Sequence, residues 1–164
     1  MLKIRKATPA DIEKIREITI HTWPQTYTHI IGREQVAYML DLFYNPAALE
    51  KQMAEGHYFI MGFINDEPIA FASFSEIAPA IFKLHKLYIL PAAQGKGTGR
   101  AMTDYIIIAV SGIGGKELRL NVNRYNHPAK TFYERYGFHH LLDEDIDIGN
   151  GYYMNDHVLV KDIR

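Results

Sequence analysis

The sequence contains no cysteine, and this absence excludes several kinds of chemistry. Disulfide cross-links, thiolate nucleophiles and cysteine-based zinc sites all require that residue, and its absence fits a reducing compartment. The sequence also lacks any apolar run near the ~18 residues that a membrane-spanning helix needs, and its first residues carry no apolar leader. We therefore expect a soluble, unprocessed, cytoplasmic protein with no membrane partner.

The sequence also lacks an excess of positive or negative charge. Lys and Arg number 18 against 19 Asp and Glu, which gives a net charge of -1. Polyanions such as DNA or tRNA are bound mainly through surplus positive charge, so we expect no nucleic-acid partner. The 164 residues are 48% hydrophobic, which is ordinary for a globular chain. Length and composition together predict a single domain over residues 1–164.

The order of the predicted elements indicates an α/β fold. Leu2, Ile4 and Ala7 alternate with polar residues as in a strand, and a helix is expected to follow and end near Thr22, because Pro24 breaks its pattern. Antiparallel hairpins come first and βαβ units follow, which is typical of a mixed sheet. The other predicted strands cover 58–64, 68–76, 81–90, 118–122, 138–148 and 152–160, and the other helices cover 33–44, 46–55, 98–111 and 128–136.

A glycine-containing loop follows the strand that Pro91 ends and precedes a predicted helix. The start of a helix offers unpaired N–H groups and partial positive charge, which suit a phosphate group. Gly97 and Gly99 lack the Cβ that would keep a ligand from the backbone, and Lys96 and Arg100 add charge at the rim. Neither a Walker A motif nor GxGxxG is present. A loop whose glycines only form turns is the alternative.

A second segment, Asn126–Phe138, combines a polar cap, a helix and a glycine stop. Asn126 and Tyr133 lie seven residues apart, nearly two helical turns, so they point to the same side about 10 Å apart along the axis. They can therefore contact one extended ligand. The alternatives are an N-cap for Asn126 and a core aromatic for Tyr133.

These two segments resemble the motifs of the GNAT superfamily of acyl-CoA-dependent N-acetyltransferases. Residues 94–99, QGKGTG, are similar to its Q/R-x-x-G-x-G/A signature, and residues 126–138 are similar to its N-x-x-A-x-x-F-Y-x-x-x-G-F motif. The resemblance implies a mixed, mostly antiparallel sheet of six to seven strands with about four helices, and acetyl-CoA as cosubstrate. It implies that the cofactor contacts Leu87, Tyr88, Ile89, Gln94, Gly95, Lys96, Gly97, Thr98, Gly99, Arg100, Asn126 and Tyr133.

The reaction that this resemblance implies is attack of a neutral amine on a thioester, with departure of a thiolate. A phenol with a pKa near ~10 is protonated at neutral pH, so we expect Tyr133 to protonate that thiolate as general acid. A base must first take a proton from the acceptor ammonium. Glu76, His85 and a water held by Asn121 are the candidates, although some family members carry a glutamate where Asn121 stands.

The acceptor pocket is less specifically marked. Trp23 and Tyr27 lie in a segment that resembles the wall of the family's acceptor pocket, with similarity to the polyamine (spermidine/spermine) acetyltransferase-like subgroup. The acidic run Asp143, Glu144, Asp145 and Asp147 offers attraction for a cationic amine. A solvated loop or protection of an edge strand is the alternative for that run.

The resulting hypothesis is an N-acetyltransferase that acts on a primary amine of a small molecule, with a polyamine-like amine as the leading acceptor. The alternatives are a protein N-terminal acetyltransferase and a noncatalytic acyl-CoA-binding regulatory module. We expect no metal, because His139 and His140 are adjacent on a strand and point to opposite faces. Exposed closing strands often pair in dimers, which makes a second copy a candidate partner.

Overall fold

The computed structural model describes residues 1–164 and contains seven strands and five α-helices. The strands are β1 (Leu2–Lys6), β2 (Tyr58–Ile64), β3 (Glu67–Ala78), β4 (Ile81–Ile89), β5 (Glu117–Asn123), β6 (His139–Gly149) and β7 (Tyr152–Asp162). The helices are α1 (Ile12–Ile31), α2 (Arg33–Tyr44), α3 (Pro46–Ala54), α4 (Thr98–Gly112) and α5 (His127–Tyr136). The strands form one sheet in the order β1-β2-β3-β4-β5-β7-β6, which confirms the predicted α/β fold.

The sheet is mostly antiparallel, with one parallel pair. That pair is β4 with β5, and its register runs from Ile81 opposite Glu117 to Leu84 opposite Leu120. Strand β4 continues to Ile89, beyond the last pair of this ladder. A helical crossover through α4 separates the two strands along the chain, as a parallel pair requires.

Contacts divide the chain into two compact units, and the first comprises Met1–Ser75 and His85–Ile106. Its core is built from continuously buried runs of β2 and β3, residues 59–62 and 69–75, and from one stripe of α1. Apolar burial of this kind is the main stabilising term in folding. The fully buried side chains of this unit are Ile15, Ile18, Leu49, Phe59, Met61, Phe71, Met102 and Ile106.

The second unit comprises Glu76–Leu84 and Ile107–Arg164. Its strands β5, β6 and β7 are antiparallel neighbours, and β5 alternates buried and half-buried residues along its length. Its largest fully buried side chains are Val110, Leu118, Leu120 and Leu159. Length and composition predicted a single domain over residues 1–164, and this stays a prediction, because the two units do not test it.

Helix α1 is longer than the sequence predicts. We expected it to end near Thr22, but it continues through Pro24 to Ile31. Proline lacks the N–H that would bond to the carbonyl of Ile20, yet Pro24 and Ile20 are both exposed, so the helix tolerates the lost bond on a face open to solvent. None of the five helices combines the length and the apolar character needed to cross a membrane.

Candidate active site

The loop between β4 and α4 has the geometry of an anion-binding helix start. Gly95 and Gly97 have φ angles of 74° and 78°, a left-handed conformation that residues with a Cβ rarely adopt. Helix α4 begins at Thr98, directly after the loop, as predicted. The first N–H groups of a helix have no partner within it and carry partial positive charge. A phosphate group in front of Thr98 would complete them.

Side chains of the same loop hold its shape. Gln94 donates from Nε2 to the carbonyl of Ile89 at 3.0 Å, and Thr98 donates from Oγ1 to the carbonyl of Ala93 at 3.1 Å. Lys96 and Arg100 are exposed. Gln94 and Thr98 therefore fix the backbone of the loop, whereas the side chains of Lys96 and Arg100 extend to solvent.

Asn126 precedes helix α5, and Tyr133 lies within it. The Oδ1 of Asn126 accepts a hydrogen bond from the N–H of Ala129 at 3.4 Å, so the predicted N-cap is present. Tyr133 is half-buried, and its ring centroid lies 5.0 Å from that of Phe132 and 5.6 Å from that of Phe138. Edge-to-face packing on both sides restricts the direction of the phenol. Such restriction suits a group that delivers a proton to one position.

The first unit brings together two predicted acceptor residues and one predicted cofactor residue. The ring centroid of Trp23 lies 4.6 Å from that of Tyr27 and 5.7 Å from that of Tyr88. The hydroxyl groups of Tyr27 and Tyr88 are 3.3 Å apart and hydrogen-bonded. Trp23 is buried, whereas both tyrosines are half-buried. Trp23 therefore packs against both tyrosines, and the two tyrosine hydroxyls are the polar groups of this aromatic cluster.

His85, one of the predicted bases, lies in a short hydrogen-bonded arrangement on β4. Its Nε2 is 2.6 Å from the Oγ of Ser75, and its ring stacks on that of His57 at a centroid distance of 4.4 Å. Burial, and then the charge of Lys86, lower the pKa of His57. His57 is consequently neutral at pH 7 and adds no charge beside the stacked ring of His85.

Glu76, another predicted base, contacts the turn between β3 and β4. Its side chain is exposed, and its Oε2 accepts a hydrogen bond from the N–H of Ala80 at 3.2 Å. Ala80 has a φ of 62°, which is unusual for a residue with a Cβ. The carboxylate therefore stabilises a strained turn, and a role as base stays a prediction.

Asn121 lies between two carboxylates of the second unit. Its Nδ2 donates to Oε2 of Glu144 at 3.0 Å and to Oδ2 of Asp156 at 3.2 Å. Asp156 is only 6% exposed, and burial raises its pKa, although the hydrogen bond from Asn121 acts in the opposite direction. Asp156 was not among the predicted site residues. The available signal was a lone carboxylate just before the apolar run Val158–Val160 of a strand.

Comparisons with known proteins identify structures with the same fold. The crystal structure of PaiA N-acetyltransferase from Thermoplasma acidophilum in complex with coenzyme A is 24% identical, with a TM-score of 0.84 over 99% of each chain. The ribosomal-protein-S18-alanine N-acetyltransferase from Escherichia coli is 18% identical, with a TM-score of 0.75 over 99% of this chain and 94% of that one. At these identities the two structures show the fold.

A curated relative matches over a shorter stretch. Mycothiol acetyltransferase from Geodermatophilus obscurus is 40% identical over 65 residues, which are 39% of this chain and 21% of that protein. The chain thus matches about a fifth of that relative's length. The model of the acetyltransferase (GNAT) domain matches residues 28–152, which are 125 of the 164 residues. The chain therefore belongs to the GNAT family of acetyltransferases.

Proposed function

We propose that this chain transfers the acetyl group of acetyl-CoA to a primary amine of a small molecule, with a polyamine-like amine as the leading acceptor. The observation that carries the proposal is the glycine loop that opens α4 at Thr98, with two glycines in left-handed conformations. Membership of the GNAT family supports it, as does the coenzyme A bound to the similar PaiA N-acetyltransferase. Cytoplasmic location is part of the same proposal.

Two stretches of backbone are suited to hold the cofactor. Residues 94–99 would offer main-chain N–H groups to the pyrophosphate, with Lys96 and Arg100 adding positive charge. Leu87, Tyr88 and Ile89 lie in β4 beyond the end of its ladder with β5, so their backbone is suited to pair with the pantetheine arm. A backbone N–H of the same strand would stabilise the oxyanion of the tetrahedral intermediate.

Tyr133 is the proposed general acid. The amine nitrogen forms a bond to the acetyl carbon, the carbon–sulfur bond breaks, and the thiolate accepts the phenolic proton. The nitrogen loses one proton to solvent as the amide forms, and the tyrosinate regains a proton from solvent. A phenol has a pKa near ~10, so it still holds its proton at pH 7 when the sulfur departs. The departing thiolate accepts a proton because the pKa of a thiol, near ~8.5, is also above 7. Packing of the ring against Phe132 and Phe138 supports this role.

The base that takes a proton from the acceptor ammonium has three candidates. His85 hydrogen-bonds to Ser75, Glu76 is exposed, and Asn121, whose Nδ2 donates to two carboxylates, would hold a water through its Oδ1. Asp156 extends the third candidate, because a carboxylate with a raised pKa is a better proton acceptor. Separate substitution of His85, Glu76 and Asp156, with the pH profile of kcat/KM as readout, distinguishes the three.

Replacement of Tyr133 by Phe tests the mechanism. Without the phenolic proton, turnover is expected to fall by ~10²-fold or more, while the affinity for coenzyme A changes little because the ring is retained. Release of free thiol measures turnover, and the absence of cysteine leaves the protein itself silent in that assay. Calorimetric titration with coenzyme A measures affinity.

Tyr136→Phe is the matched control, since it removes a hydroxyl from the same helix outside the proposed machinery. It is expected to retain nearly full turnover. Wild-type turnover in the Tyr133→Phe variant would remove Tyr133 from the mechanism. Failure of the wild-type chain to bind coenzyme A would overturn the whole proposal.

The acceptor is tested with a panel of amines. Spermidine, spermine, aminoglycosides, amino acids and short peptides cover small-molecule acceptors and protein N-termini. The mycothiol acetyltransferase and the ribosomal-protein-S18-alanine N-acetyltransferase are relatives named for each kind of acceptor. Thiol release with N-terminal peptides and none with polyamines would favour the protein acceptor. Coenzyme A binding without acceptor-dependent thiol would favour a noncatalytic module.

A further inference from the structure

Three side chains with metal-ligating atoms converge on the outer strands of the second unit. The Oδ1 of Asp143 lies 2.7 Å from Nε2 of His140 and 2.6 Å from Nδ1 of His157. These three atoms all lie within 4.8 Å of one another. The side chain of His157 is 18% exposed, and those of His140 and Asp143 are nearly half exposed. The cluster is therefore ordered by its own hydrogen bonds and open to ions from solvent.

An irregularity in β6 explains why these residues share a face. Asp143 is directly opposite His157, and His140 is opposite Leu159, so both pair with residues on one face of β7. Residues three apart on a regular strand point to opposite faces. The register shifts between His140 and Leu142, and the additional residue Leu141 restores the common face. Alternation along a regular strand was applied only to the adjacent pair His139 and His140, so this arrangement was not predicted.

Arg124 orients the carboxylate from the other side. Its Nε is buried without a hydrogen bond and lies 3.8 Å from Oδ2 of Asp143. Its Nη2 lies 2.9 Å from Oδ1 of Asp145, so a second carboxylate balances the guanidinium charge. A small turn of the Asp143 carboxylate would give Nε its missing partner. Partners of this kind, which hold a ligating carboxylate through its other oxygen, are typical of metal sites.

We propose that His140, Asp143 and His157 bind one divalent transition-metal ion, with Zn²⁺ as the probe. Imidazole nitrogen and carboxylate oxygen are ordinary zinc ligands at 2.0–2.2 Å, which corresponds to ligand atoms about 3.3 Å apart in a tetrahedral site. The hydrogen-bonded contacts must lengthen by less than an ångström to reach that spacing. Each imidazole can carry its proton on the ring nitrogen that does not bind the metal. Water would take the fourth position.

The site is expected to be structural, because its ligands come from both strands of the outer pair. His140 and Asp143 belong to β6 and His157 belongs to β7, so one ion would cross-link them. Ligands that come together only in the folded chain couple metal binding to folding. Zn²⁺ is therefore expected to raise the unfolding temperature of the chain without an acyl donor or acceptor being present.

Calorimetric titration of Zn²⁺ into the full chain, stripped with chelator and free of any histidine tag, tests the proposal. We expect one saturable site per chain. Substitutions outside a metal's ligands cost 10–100-fold in affinity, so His140→Gln, Asp143→Asn and His157→Gln are each expected to weaken binding at least ~10-fold. His139→Gln is the matched control and should bind like wild type, because His139 faces the opposite side.

The same titration has outcomes that overturn the proposal. Absence of saturable one-to-one binding by the wild-type chain would do so, as would unchanged affinity in either His140→Gln or His157→Gln. A thermal scan of each variant without metal shows whether it is folded. Wild-type-like unfolding together with lost Zn²⁺ binding assigns the effect to the ligand itself, and neither readout depends on acetyl transfer.

Discussion

Asp11 is a buried carboxylate whose charge is matched by its neighbours. Its two oxygens accept hydrogen bonds from Arg5 at 2.8 and 2.9 Å, and one also accepts from the N–H of Thr8 at 3.0 Å. Lys14 lies 3.5 Å away. The hydrogen bond from Arg5 is the main reason why the pKa of Asp11 is well below its usual value. The charged form of Asp11 therefore stabilises the folded state.

Asp11→Asn is expected to lower the free energy of unfolding by about 1–3 kcal/mol at pH 7. A carboxyl whose folded pKa is depressed contributes stability above its unfolded pKa of about 3.9 and loses it as pH falls through the folded value. The difference between wild type and variant should therefore shrink below about pH 4. Urea titration at several pH values measures it, and the exposed Glu13→Gln should stay within about 0.5 kcal/mol.

The pKa of Asp156 is shifted in the opposite direction from that of Asp11. Its pKa is raised, chiefly by burial, so the folded chain holds the proton more tightly than the unfolded chain does. The contribution of Asp156 to stability is then greatest below its unfolded pKa and is lost as pH rises through its folded pKa. A buried carboxylate that opposes folding at neutral pH is typical of functional positions.

Asp156→Asn is consequently expected to raise the free energy of unfolding at pH 8, with a smaller difference at pH 4. Asparagine keeps an oxygen that can accept from Asn121, so the hydrogen bond is retained. Denaturant titration at both pH values measures the change. The exposed turn variant Asp66→Asn should show no pH-dependent gain. Equal destabilisation by Asp156→Asn at both pH values would contradict this account.

At the scale of elements, the connection from α4 to β5 depends on a glycine. A Cβ on Gly115 would overlap Cγ1 of Val110 and lie 3.0 Å from Cδ1 of Phe82. Both neighbours are buried core residues with no space to move aside. Gly112, three residues earlier, has no atom within 4 Å of the corresponding position.

Gly115→Ala is therefore expected to cost about 1–3 kcal/mol in the free energy of unfolding, as overpacking of a core does. Gly112→Ala, at the end of α4, should be neutral or slightly stabilising because alanine favours helix over glycine. Denaturant unfolding of the two variants side by side gives the comparison. Equal stability of both variants would show that the core yields to the additional methyl group.

The elements that the sequence predicted well are those with strong local signals. Helix α2 and strand β2 have the bounds that periodicity indicated, and Asn65 and Asp66, which carry φ angles of 52° and 63°, form the tight turn between β2 and β3. Helix α1 was predicted too short, because the cost of Pro24 depends on whether its lost bond faces water. Local pattern does not contain that information.

The site was predictable to a similar degree. The glycine loop and the cap at Asn126 are local, and both were found at the predicted residues. The pairing of Asn121 with Asp156 and of His140 with His157 depends on cross-strand register and on one bulge. Those contacts join residues far apart in the sequence, so no spacing rule reveals them.

For the whole molecule, cofactor binding should appear as stability. A ligand that binds only the folded chain adds about 2.7 kcal/mol at 100 times its dissociation constant. For a chain of this length that corresponds to a rise of roughly 5–10 °C in the unfolding temperature. Thermal scans with and without coenzyme A measure it. Gly97→Ala, which strains a residue at a φ of 78°, should reduce the rise, and Gly112→Ala should not.

Strand β6 lies at one margin of the sheet, and register shifts at Leu141 and at Ile148 interrupt an otherwise long unpaired edge. A chain that lacked Leu141 would keep every other residue of β6 opposite its present partner and would lose only the kink. The margin would then be regular from His139 to Asp147 and would offer its backbone groups to a second molecule, with its acidic side chains as the remaining protection. Leu141, which is exposed, therefore protects this part of the sheet from pairing with another sheet.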